Sequence, residues 1–322
     1  MFKRLMPLAL AAAALIALPA FAADAYPAKP VRIVVPFAPG GGVDLTARIL
    51  AQKLTERAGQ SFIVENRTGA SGIIGTEFVA KAAPDGYTLL VGSQTTQAVV
   101  PAMYGKLNYD AARDFVGVTE IAVSPLLIVI HPSLPVKSVK ELIALAKSRP
   151  GQLSFGAASG GTPHMAGELF KLAAHVDLLF VPYKGEGPAI ADAMGGQISM
   201  VFANLPVGLP QAQGGRLRAL AVTSAKRVAT APEIPTASES GLPGYEAATW
   251  FGLFAPVATP RDLITKLNAV AVSALSGADV KERMAAQGLF VVANTPEQFA
   301  DFLKTEIPKW GKIVKDSGVK PQ

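Results

Sequence analysis

Apolar residues along the chain gather into short runs, and each run is followed by a glycine-rich turn and a stretch of helical spacing. Residues 31–35 (VRIVV) form a β-branched run as long as a buried parallel strand, and Pro36 stops it. Gly40, Gly41 and Gly42 then make a turn, and Asp44 opens a helix whose apolar positions Leu45, Ile49 and Leu54 recur at helical spacing. Residues 61–66 read as a second strand, 67–75 (RTGASGIIG) as another glycine loop, and 75–82 as a helix. Pro84-Asp85-Gly86 turns into a third strand, 87–93, which ends in Ser93-Gln94-Thr95-Thr96.

Residues 114–132 are long, extended and apolar, interrupted by Ser124-Pro125, and are read as a strand that leaves one domain and enters another. A helix over 138–148 follows, with Ser138 as N-cap and Glu141 completing a capping box. Residues 153–174 repeat the opening plan: a short strand, a small-residue loop over 156–162, then a helix from Pro163, for which Thr162 is the expected N-cap. Strands are expected at 178–182, 198–205 and 217–223, with a helix over 188–194. Residues 224–246 read as loop, and 250–257 as the strand that returns to the first domain. Helices over 261–276 and 296–315 close the chain, Pro308 bending the second.

Loops that follow the carboxyl ends of strands are where open α/β sheets bind ligands. The expected architecture is therefore α/β: two doubly wound domains joined by two crossing strands, with residues 23–124 and 250–322 forming domain 1 and 125–249 domain 2. A cleft between such domains is a preferred ligand site.

Composition narrows the function. The chain has 322 residues, half of them hydrophobic and 17% charged, enough for a sizeable core. It has no cysteine, which excludes disulfides, thiolate chemistry and a lipidated N-terminal cysteine. Lys3 and Arg4, the apolar stretch 8–18 and the Ala20-Phe21-Ala22 cleavage pattern read as a secretory signal over 1–22, so an exported, periplasmic protein is expected. Cleavage would take the net charge from +6 to +4. The basic residues are scattered, without an aromatic-interleaved patch, so nucleic-acid binding is not supported.

A glycine turn before a helix start suits an anion, through bare N–H groups and the positive end of the helix dipole. GGGVD is neither a dinucleotide fingerprint nor a phosphate-binding P-loop. Asp44 reads as the helix N-cap or as a ligand contact, for instance to an amino group. His164 reads as a donor to an anion or as a surface helix residue. His131, His164 and His175 form no metal-binding arrangement, so no metal and no cofactor is expected. Ser71 and Ser159 do not lie in a nucleophile elbow, and no Ser-His-acid set is identifiable.

YPAKPVRIVVPFAPGGGVD, NRTGASGIIG, APDGYTLLVG, GTPHMAGELF, VPYKGEGPAIADAMGGQI and GLPGYEAATWFGLFAPVATP, in that order, resemble the extracytoplasmic substrate-binding proteins of tripartite tricarboxylate transporters, the Bug group. The resemblance implies a two-lobed periplasmic binding protein, or Venus flytrap, with a carboxylate-containing ligand held largely by backbone groups and waters. The positions it implies for the ligand are Phe37, Gly41, Gly42, Asp44, Ser93, Gln94, Ser159, Gly160, Thr162, His164 and, beside them, Asn204. Many such proteins carry Asp at the position of Ala203, so this chain departs from them there. The partners implied are a small carboxylate and the membrane components of a transporter, with the binding protein itself a monomer. A ligand sensor for a membrane kinase and an exported α/β enzyme are the competing readings. The second lacks any group poised to activate a nucleophile.

Overall fold

The computed structural model describes residues 26–320, Lys184 excepted; the expected signal segment 1–22 lies outside the described residues. The first lobe opens with β1 (Val31–Val35), α1 (Gly42–Ala58), β2 (Phe62–Asn66), α2 (Ile73–Ala80), β3 (Thr88–Ser93) and α3 (Val100–Tyr104). β1 lies between β2 and β3, parallel to both, and Val31, Ile33, Val34 and Val35 have no exposed surface, which is why the run is β-branched throughout. The long strand β4 (Phe115–Ile130) then crosses to the second lobe, built from α4 (Val139–Ser148), β5 (Ser154–Ala158), α5 (Thr162–Ala174), β6 (Leu179–Tyr183), α6 (Glu186–Met194), β7 (Met200–Asn204), α7 (Leu205–Gln213) and β8 (Arg218–Val222). The chain returns through β9 (Ala248–Pro256) and ends with α8 (Arg261–Leu275), α9 (Ala278–Ala286), β10 (Phe290–Val291) and α10 (Pro296–Ser317).

The strands form one mixed sheet in the order β2-β1-β3-β9-β4-β7-β5-β6, which runs through both lobes. β4 is the seam. Its first part, Phe115 to Pro125, pairs antiparallel with β9, and its last part, Leu126 to Ile130, pairs with β7 and β8. The change of partner comes directly after Pro125, which has no N–H to give to a ladder. Thr223 ties the seam: its hydroxyl accepts from the Leu126 amide at 2.8 Å and bonds the Ala247 carbonyl, while the Ala247 amide donates to the Thr223 carbonyl.

Each lobe has its own apolar cluster. In the first, Ile33, Leu50, Leu54 and Leu89 pack with Leu253 and Leu267; in the second, Phe155, Phe170 and Phe202 stand on Ile128 and Leu126. Gly167 lets Phe155 sit against α5, because a Cβ there would be 2.2 Å from its ring. Ala98 and Val99 after β3, and Trp310, Ile313 and Val314 of α10, belong to the second lobe's cluster although the sequence reading assigns their segments to domain 1. The lobes therefore share packing beside their crossing strands.

Several elements differ from expectation. Residues 95–99 form a wide π-turn that runs into α3, where a loop was expected. α7 was not anticipated, because its sequence LPVGLPQAQ contains two prolines; Pro206 falls in the first turn, where no N–H is needed, so the helix forms and loses one bond at Pro210. α6 begins at Glu186, ahead of the expected Pro188. Ser138 caps α4 as expected, but the Glu141 carboxylate reaches the Lys137 amide rather than Ser138. Among the described residues no single helix is long and apolar enough to cross a membrane.

Candidate functional site

A cavity of about 300 Å³ lies between the lobes. From the first lobe it is lined by Phe37, the start of α1 (Gly41, Gly42, Val43), Ser93, Thr95 and the β9 residues Thr249 and Phe251. From the second it is lined by the end of β5 (Gly156 to Ala158), the start of α5 (Thr162, Pro163), Glu186, Val201 and Asn204. These are carboxyl ends of parallel strands and the helix starts that follow them, met face to face from two lobes. The walls are mostly apolar, and Glu186 is the only ionisable group among the described lining residues.

The α1 and α5 loops share one local design. Gly40 and Gly160 both have positive φ, +91° and +72°. The next residues, Gly41 and Gly161, are the N-caps in extended conformation, and neither can offer a side-chain cap. The first-turn amides, Gly42 and Val43 in α1 and Thr162 in α5, have no intrahelical acceptor, as at any helix start, and these residues border the cavity. Asp44 and Thr162, expected as N-caps, are instead inside their helices. The glycines before them adopt the cap conformation, so Asp44 is the third helical residue and Thr162 the first.

Three positions after each N-cap a buried side chain reaches back. Asp44 Oδ2 accepts from the Gly40 amide at 2.9 Å and from Arg48 Nε at 2.9 Å, and its Oδ1 accepts from Asn66 Nδ2 at 2.9 Å. Asn66 Nδ2 also donates to the Phe37 carbonyl, which fastens the whole PFAPGGG turn. Burial pushes the Asp44 carboxyl up, but the hydrogen bonds from Arg48, Asn66 and Gly40 outweigh it and hold it below the usual carboxylate range. In the second lobe His164 Nδ1 accepts from the Gly160 amide at 3.0 Å. Its ring stacks on Phe180 with centroids 3.7 Å apart. Burial, helped by the Lys171 charge, lowers its pKa to about 4, so the imidazole is neutral near pH 7. Asp44 and His164 are thus both buried and line no part of the cavity; each acts as a brace for a loop that does.

Of the other positions drawn from the resemblance, Phe37, Gly41, Gly42, Ser93, Thr162 and Asn204 come together on the cavity. Gln94, Ser159 and Gly160 sit just outside it, and Gly160 rests against Met103 of α3, a contact between lobes. The Gln94 side chain is fully buried, with no hydrogen-bond partner for its amide among the described residues. Ala203 is buried in the apolar cluster with Leu127 and Val222, under α7, where a Cβ on Gly208 would approach it to 2.8 Å. Its side chain is therefore absent from the wall. Sequence reasoning passed over Asn66, Thr249, Phe251 and Glu186. Glu186 carried a usable signal, since it opens the helix after β6 just as Gly42 and Thr162 open those after β1 and β5.

The neutrality of His164 has a measurable consequence. Unfolded histidine titrates near pH 6.5, and the folded side chain near 4. Between these values the unfolded chain binds a proton that the folded chain refuses, so stability falls as pH drops through that window. Glu120, pushed up to about 7 by burial and by Glu306, acts with the opposite sign and loses stability as pH rises from its ordinary value. The clean readout is therefore a difference. Urea unfolding of wild type and His164→Asn, which keeps an acceptor for Gly160, should give a stability gap that grows from pH 4 to 6.5 and then levels. A gap independent of pH would contradict a neutral, buried His164.

A family described as "Tripartite tricarboxylate transporter family receptor" matches residues 46–319. Protein BugT of Bordetella pertussis is 40% identical over 300 residues, an alignment covering 92% of each chain. The structure of R. palustris Rpa4515 with adipate is similar at a TM-score of 0.82 and 38% identity, over 92% of this chain and 100% of that one. MatC (Rpa3494) from Rhodopseudomonas palustris with bound malate is similar at a TM-score of 0.78 and 33% identity, over 90% of this chain and 100% of that one.

Proposed function

The chain belongs to the tripartite tricarboxylate transporter receptor family, and from that premise we propose that it captures a small carboxylate in the cavity between its lobes and delivers it to the membrane components of such a transporter. The carrying observation is the pair of helix starts, α1 and α5, that border one cavity from opposite lobes with glycine N-caps and no side-chain cap. A helix N-terminus is worth about 0.3–1 kcal/mol to an exposed anion and up to about 2 kcal/mol when partly buried. Two such ends, with charge-assisted hydrogen bonds from first-turn amides, supply a carboxylate site in which no Lys or Arg stands among the described lining residues. Phe37, Val43 and Phe251 offer apolar surface to the body of the ligand.

The carboxylates named with the two solved relatives, adipate and malate, agree with this ligand class. The family's members are periplasmic solute-binding proteins; export through the 1–22 signal and action as a monomer complete the reading. Binding, not catalysis, is the proposed activity: Glu186, the one ionisable group among the described lining residues, is hydrogen-bonded at both oxygens to Asn204.

A thermal-shift screen tests the reading. A carboxylate library that includes adipate and malate should contain at least one compound that, at a hundred times its Kd, stabilises the protein by about 2.7 kcal/mol. The matching uncharged amide should give no shift. A library without a single stabilising carboxylate would overturn the proposal.

A further inference from the structure

The cavity is electrically two-sided. The α1 and α5 starts present N–H donors, whereas the start of α6 presents a carboxylate, Glu186. Its oxygens accept from the Asn204 amide at 2.5 Å and from Asn204 Nδ2 at 2.8 Å. Both donors are neutral and both come from one residue, so the group is held rigidly by one neighbour. A carboxylate has about four acceptor positions, so about two remain unused. No cation pairs with Glu186 among the described residues. Burial raises its pKa, opposed by the two Asn204 hydrogen bonds. Glu186 is half-buried at the cavity wall; a carboxylate partly withdrawn from water without a counter-charge is costly, and an incoming cation relieves that cost, while a second anion in the same cavity adds repulsion.

Resting on the carboxylate-capture reading, we propose that Glu186 is the specificity-determining residue of the cleft and that it selects amino carboxylates, whose carboxylate meets the α1 and α5 starts and whose protonated amine meets Glu186. The pairing is charge-assisted and shielded from water, which is the strong class of hydrogen bond. This chain would then prefer a different class from adipate and malate, the diacids named with its solved relatives.

Isothermal titration at pH 7.5 tests this on three matched series: α- and ω-amino acids of two to six carbons, dicarboxylates of the same lengths, and plain monocarboxylates. Wild type should bind at least one amino acid more tightly than every diacid of the series. In Glu186→Gln, affinity for that amino acid should fall by at least about 30-fold, as expected when one partner of a buried charge pair is removed, while the monocarboxylates change little. A purely bracing role for Glu186 toward Asn204 would weaken all three series alike, and that result would overturn the proposal. So would a wild type that prefers diacids, a comparison that stands even if the variant fails to fold. If no series binds to wild type, the carboxylate-capture reading itself fails, which is a separate outcome.

Discussion

Asp44→Ala is expected to abolish carboxylate binding and to lower stability by about 3 kcal/mol, although the side chain touches no part of the cavity wall. The residue is 2% exposed and holds three donors at once, the Gly40 amide, Arg48 and Asn66. Removing the carboxylate leaves the Gly40 amide without its acceptor and Asn66 Nδ2 with the Phe37 carbonyl alone, and the glycine turn loses the anchor that sets where the Gly41 and Gly42 amides point. Asp44→Asn should fall between wild type and Ala, because one oxygen survives to accept from Gly40 while its new amide faces the amide of Asn66. The effect also has a pH signature. A carboxyl whose folded pKa is depressed contributes stability that is present above its unfolded value, near 4, and is lost as pH falls through the lower folded value. Wild type should therefore lose stability in that acid window faster than Asp44→Ala. Chemical unfolding from pH 2.5 to 7, with titration calorimetry at pH 7.5, measures both effects; an Ala variant that binds as tightly as wild type would remove Asp44 from the support of the site.

How much of this was legible beforehand depended on whether a residue's role lay in its own spacing or in the packing around it. The strand-turn-helix plan could be read directly, since β-branched runs end at glycine turns and each turn opens a helix. That Gly40-Gly41 and Gly160-Gly161 repeat one plan was also readable. What could not be read was that Asp44 and His164 do the same job. They stand at the same distance after their turns but share no chemistry, and only the short contacts to Gly40 and Gly160 reveal the common function. The sequence alone reads Asp44 as an N-cap or a ligand contact and His164 as an anion donor or a surface helix residue; burial decides against a surface position, since each is 3% exposed or less.

The departure at Ala203 shows the same limit from the other side. A strand position next to Asn204 looks like wall until α7 is known to cover it, and α7 was concealed by its prolines. Glu186 was hidden by its surroundings, because an acid in a Lys-Gly-Glu-Gly stretch reads as a solvated turn. Its place on the cavity wall is fixed by Asn204, which is distant from it in sequence. The packing of Trp310 and Val99 into the second lobe's core is likewise a property of the tertiary fold and not of any local pattern.

Gly41→Val should lose carboxylate binding by more than about 100-fold, some 2.7 kcal/mol, and lower stability by no more than about 1 kcal/mol, the cost of valine at an N-cap. Gly41 has φ −82° and ψ 170°, a conformation in which a β-branched residue is comfortable. A Cβ placed there meets nothing within 4 Å, so the new side chain has room in the fold, yet the residue borders the cavity and its added bulk enters the space a carboxylate needs. Its neighbour supplies the contrast. A Cβ on Gly40 also meets nothing within 4 Å, but Gly40 has φ +91°, where valine is strained, at a cost of about 1–3 kcal/mol. Gly40→Val should therefore lose stability and binding together, whereas Gly41→Val loses chiefly binding. Melting curves with and without a carboxylate that stabilises wild type separate the two. If Gly41→Val binds normally, the α1 start is not where the anion sits, and the two helix starts cannot act as a pair; if it unfolds, the turn is more tightly packed than its open Cβ direction implies.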